Sequence, residues 1–148
     1  MISPHKSLDQ PLGEVLEDRK IRVFLDRIVE FWRDVDLLGC GPKYEEMAEH
    51  LRELHEILTD HCQKVERQLL PMQSVKQARR GSQIETFRDE QVELLERLAH
   101  DRELVQRHCP CEELANWTTL GEEISTLVEL IISHLATERE LLESLRAE

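Results

Sequence analysis

A chain of 148 residues suits one domain built around one core. Charged residues make up 34% and aromatics only 4%, a balance that reads as helical, and the net charge of −12 argues against a phosphate-backbone partner. No apolar run approaches the roughly 20 residues of a membrane span.

Met1 to Gly13 lacks the apolar core of a signal peptide, so the expected location is the cytoplasm. There the four cysteines, Cys40, Cys62, Cys109 and Cys111, are expected to be free, metal-bound or redox-active rather than structural disulfides.

Residues 1–10 read as a polar lead-in, and residues 11–148 as the folded domain. Pro11 suits the first turn of a helix, where its missing N–H does no harm. The seam of this first helix runs Asp18, Ile21, Leu25, Ile28, Trp32, Val35, and Gly39 to Pro42 breaks the chain. The second helix starts near Lys43 with a seam of Met47, Leu51, Leu54, Leu58, His61, Val65 and Leu69. Pro71 is expected to end or kink it, and residues 71–81 read as basic and irregular. Ser82 and Glu85 have the spacing of a capping box at the start of a third helix. Its seam is Ile84, Phe87, Gln91, Leu94, Leu98, Asp101 and Val105, followed by a break at His108 to Cys111. The fourth helix, from about Glu112, carries Leu120, Ile124, Leu127, Ile131, His134, Glu138, Leu141 and Leu145 on one face. Gly121 within it costs about 1 kcal/mol of helix propensity against Ala. Four such helices predict an all-α, single antiparallel up-down-up-down four-helix bundle.

Each seam contains a polar interruption. Measured from the end that holds the 1–2 and 3–4 connections, Asp18, His61, Gln91 and His134 all lie at a depth of roughly 26–33 Å. Glu138 lies one turn beyond His134 and on the same face. Two imidazoles, two carboxylates and an amide at one height suit a metal site in the bundle core. They equally suit a buried hydrogen-bonded cluster in which His61 or His134 is protonated and paired with Glu138 or Asp18.

The same residues resemble the motifs of the hemerythrin-like, HHE cation-binding family. His61, Val65, Glu66, Leu69, Leu70 and Pro71 fall in the frame of its second-helix motif, H-x-x-x-E-E-x-x-L-F/Y-P. His134 and Glu138 match its fourth-helix H-x-x-x-E. Glu17, Asp18, Arg19 and Ile21 resemble E-H-R-x-I of the first helix, and Glu90, Gln91 and Leu94 resemble E-H-x-x-L of the third. The resemblance runs from about Gln10 to Leu145. It implies a bundle holding two irons through histidines and two bridging carboxylates, in proteins that bind or sense oxygen, sense redox state, or handle iron, nitric oxide or peroxide.

Here Asp18 and Gln91 replace two of those histidines and Val65 replaces a bridging glutamate. Val65 cannot ligate, Gln91 is a poor ligand, and Glu66 should point about 100° off the seam. The set that remains, Asp18, His61, His134 and Glu138 with Gln91 beside it, suits one iron rather than two, or none. With iron bound, dioxygen or another small diatomic is the implied partner; without it, the bundle is an interaction module. No nucleophile–base pattern or phosphate loop argues for an enzyme, and a monomer and a homodimer both remain open.

Two further groups stand out. Cys40 lies in one break and His108, Cys109 and Cys111 in another at the same end, so they could hold zinc or form a redox-active disulfide. Cys62 reads as a small buried or interface residue, His50, His55 and His100 as boundary or surface groups, and Lys76, Arg79 and Arg80 as a solvated loop.

Overall fold

The seams are the buried faces of long helices. The structure, a computed structural model, describes residues 3–38, 43–108 and 114–147, with side chains for 17–35, 43–72, 81–107 and 117–147. Three helical elements are assigned: α1 (Ser3–Leu38), α2 (Tyr44–His108) and α3 (Leu114–Ala147). No described helix is long and apolar enough to cross a membrane.

α2 is helical over all 65 of its residues, with Pro71 inside it. Yet it doubles back. Arg88 Nη2 lies 2.5 Å from Glu66 Oε1, and Arg102 Nη1 donates to His55 Nδ1 at 2.8 Å. On one straight helix, residues 66 and 88 would stand about 33 Å apart. α2 therefore forms an outgoing arm and a returning arm, and the reversal lies between Met72 and Gly81. With α1 and α3 these arms make an antiparallel four-helix bundle. α1 pairs head to tail with the outgoing arm, as the contact of Phe31 with His50 and of Glu17 with His61 requires.

Two boundaries differ from expectation. Helix begins at Ser3, so Pro11 lies well inside α1 and most of the expected lead-in is helical. Residues 71–81 are assigned as helix where an irregular link is expected, yet the chain reverses within them, and the returning arm is the expected third helix. Proline removes one backbone donor and crowds the preceding turn, which leaves the turns after it free to stay helical.

The seam residues are buried as read, from Ile21 to Leu145, with Trp32 partly so. Phe24, Tyr44, Cys62, Trp117, Val128, Leu135 and Leu142 widen the core beside them. The apolar interior falls into two clusters. The larger includes Ile28, Leu54, Leu98 and Leu127; the smaller joins Val65, Leu69, Ile84, Phe87, Leu141, Leu142 and Leu145. Gln91 and Glu138 lie at sequence positions between the two clusters, and His61 and His134 lie at the near edge of the larger one.

Gly121 reverses its sequence reading. A Cβ there would lie 2.0 Å from Trp32 Cε2, so the missing side chain is the slot into which the α1 indole packs. Trp32 Nε1–H then donates to the Trp117 carbonyl at 3.4 Å. Overpacking costs about 1–3 kcal/mol, against the roughly 1 kcal/mol that Ala returns in propensity. Gly121→Ala should therefore lower the melting temperature by a few degrees, whereas in a Trp32→Leu background the same change should be neutral or stabilising. Thermal unfolding of the four proteins checks both signs.

Candidate functional site

Among the described residues six polar or charged ones are buried: Asp18, His61, Gln91, Asp101, His134 and Glu138. Five of them are the residues placed at one height by the sequence. The helices deliver them because each sits in the heptad-like frame of its apolar neighbours.

His61 is the centre of the arrangement. Its Nε2 lies 2.9 Å from both carboxylate oxygens of Glu138 on α3. Its Nδ1 is bonded to Glu17 Oε1 on α1. A neutral imidazole has one N–H and cannot donate at both nitrogens, so a ring held between two carboxylates is an imidazolium. Burial alone would lower its pKa, but Glu138 and then Glu17 outweigh burial and raise it to about 9. Glu17 also faces Lys64 Nζ at 3.7 Å, and its side chain is 30% exposed.

Glu17 is the site residue missed by the seam reading. Asp18, the expected ligand on α1, turns to the rim. Arg139 Nη2 donates to Asp18 Oδ2 at 2.6 Å and Arg22 Nε at 3.2 Å, and both arginines are more than 40% exposed. The signal was present in the sequence: Glu17, Ile21, Phe24 and Ile28 run at 4-3-4, as helical a spacing as the 3-4-3-4-3 of the chosen seam. The carboxylate one residue earlier is the one that reaches across.

His134 behaves differently. Its ring stacks on Phe87 with centroids 4.6 Å apart, and Nε2 lies 3.4 Å from Gln91 Oε1, a long contact. Burial, then the positive charge of His61, push its pKa down to about 4, so it is neutral. Cys62, beside His61, is buried, and burial followed by the Glu138 charge pushes its thiol up to about 12. It is an unreactive core residue at ordinary pH. Cys40, Cys109 and Cys111 lie outside the described residues, as does the side chain of His108.

These donors can be tested against a metal. Two irons with two bridging carboxylates do not fit, because Val65 is 2% exposed within the smaller apolar cluster and Gln91 offers an amide. The chemistry suits one ion better. His134 is neutral, Glu138 is a carboxylate, and His61 gives Nδ1 to Glu17 as ligating imidazoles commonly give their second nitrogen to a carboxylate. As the side chains lie, no three His, Cys, Asp or Glu groups among the described residues stand close enough together to hold an ion.

Comparison with known proteins adds one relative. Over 103 residues the chain is 36% identical to an iron-sulfur cluster repair protein, YtfE, of Cronobacter sakazakii. The match covers 65% of this chain and 44% of that protein, so the chain spans less than half of the relative's length. No family model matches, and no solved structure does.

The two histidines give the layer a defined pH window. A pKa raised from 6.5 to about 9 means that the His61 contribution is complete below about pH 6.5 and is lost as pH rises through about 9. The depressed pKa of His134 works oppositely: its contribution is complete above about pH 6.5 and is lost as pH falls through about 4. The His61 shift corresponds to about 3 kcal/mol. Glu138→Gln should cost about 3 kcal/mol near neutrality and flatten the decline of stability between about pH 7 and 9.5. Denaturant titrations across that range measure it; an unchanged slope would assign the pH dependence elsewhere.

Proposed function

We propose that this chain is a hemerythrin-like, iron-related protein whose polar layer takes a single metal ion. The role inferred is cytoplasmic sensing or iron handling. The observation that carries the reading is the buried His61–Glu138 contact at 2.9 Å, with Glu17 behind His61 and a neutral His134 in the same layer. The similarity to an iron-sulfur cluster repair protein supports the iron-related part of it.

In this reading His61, His134 and Glu138 are the ligands, with Asp18 and Gln91 at the margin. Iron there would supply a one-electron centre with coordination positions left for water, dioxygen or another diatomic. The chain's own contribution is positional. Glu17 fixes the His61 ring so that Nε2 faces inward; Phe87 holds the plane of His134; the two apolar clusters exclude water on either side. Binding requires His61 to give up its Nε2 proton, so proton and metal compete for one atom.

A second reading has its own support. The charged members of the layer are already partnered: both nitrogens of His61 by carboxylates, and Asp18 by two arginines. Charges balanced in this way need no metal, and the protein would then be a metal-free helical bundle whose function lies on its surface.

Elemental analysis separates the two. Protein purified without an affinity tag, from cells grown with added iron, should carry about one iron per chain, and His134→Ala should remove it. A chelator should then lower the melting temperature, because a ligand bound to the folded state stabilises it. Gln91→His combined with Val65→Glu should raise the iron content toward two. Protein that holds no metal under any supply, and is unmoved by chelator, would establish the metal-free bundle.

A further inference from the structure

Among the described residues, Asp101 is the one buried charged residue that the polar layer leaves unused. It is 0% exposed, and neither carboxylate oxygen has a hydrogen-bond partner among the described residues. One other wholly buried side chain shares that condition: Trp117, also 0% exposed, whose Nε1–H donates to nothing. The Tyr44 ring stands perpendicular to the Trp117 ring with centroids 5.2 Å apart, and the Trp117 backbone carbonyl accepts from Trp32. Only the indole N–H is left over.

The two orphans lie on neighbouring helices, Asp101 on the returning arm of α2 and Trp117 on α3. Arg97 Nη2 meets Glu123 Oε2 at 3.3 Å, which fixes the register of the returning arm of α2 against α3. Asp101 is four residues beyond Arg97, and Trp117 is six residues before Glu123. Because the helices are antiparallel, both steps run in the same direction. At about 1.5 Å per residue the two side chains leave the backbone within about 3 Å of the same height.

One side has only acceptors and the other only a donor, in an apolar core where an unmade hydrogen bond carries its full desolvation cost. Water fits this pair, since it accepts from an indole N–H and donates to a carboxylate. We propose that Asp101 and Trp117 form a second internal polar site, in which ordered water bridges the carboxylate to the indole N–H. Burial, with Glu123 nearby, pushes the Asp101 carboxyl up to about 6, while Arg97 and His100 pull the other way. A carboxyl so placed needs a donor, and the Trp117 indole N–H at about this height has no other partner among the described residues. The site is separate from the histidine layer and does not rest on the presence of metal.

The test reads the water directly. In 15N-labelled protein, the Trp117 indole proton should show rotating-frame cross-relaxation with a bound water, with Trp32, whose N–H is taken by a carbonyl, as the internal comparison. Trp117→Phe assigns the signal, and Asp101→Leu should abolish it. Should Asp101→Leu fail to fold, a double-mutant cycle of Asp101→Asn with Trp117→Phe should show coupling of at least about fivefold in the folding equilibrium constant. A folded wild-type protein with no water contact at Trp117, or a cycle additive within about twofold, would overturn the proposal.

Discussion

A charge in the middle of an apolar bundle sets the terms for everything around it. An unpaired imidazolium at His61 would cost several kcal/mol of lost hydration. Glu138 and Glu17 offset that cost, and they come from two different helices, so the charge ties α1, the outgoing arm of α2 and α3 together at one height. Burial, and after it the cation at His61, keeps His134 neutral. The layer is therefore a single electrostatic unit. Its two histidines carry opposite protonation states because they share one environment. The rim pairs, such as Asp18 with Arg139, are half in water and contribute much less.

Most of this was legible in the chain. Spacing of Leu, Ile and Val identified the buried faces. The polar interruptions of those faces proved to be the buried polar residues, because a residue held in a seam by apolar neighbours a turn to either side has nowhere else to point. Two kinds of information were not legible. Which of Glu17 and Asp18 crosses to His61 depends on a rotation of α1 by about 100°, less than periodicity resolves. The reversal within α2 was expected as an irregular linker because Pro71 and Gly81 punctuate the sequence, yet local punctuation decides only single hydrogen bonds. Gly121 failed for a related reason: propensity describes one helix, and the slot for Trp32 belongs to two.

The likeness to an iron-sulfur cluster repair protein and the geometry of the layer are independent of each other. One concerns 103 aligned residues of a protein more than twice as long as the match; the other concerns which atoms face His61. Val65 extends the smaller apolar cluster on one side of the layer, and Gln91 offers the layer an amide rather than an imidazole or carboxylate.

The split of the interior into two apolar clusters also bears on how the molecule opens. A core that is continuous transmits loss of packing from one end to the other. Here the two ends are joined through hydrogen bonds of a titrating, exchangeable layer. The small cluster at the reversal of α2, with seven buried side chains, can come apart as a cooperative subunit of its own while the larger one holds. Whatever occupies or protonates the layer then acts as the coupling constant between the halves, deciding whether amide exchange and proteolysis see one folding unit or two.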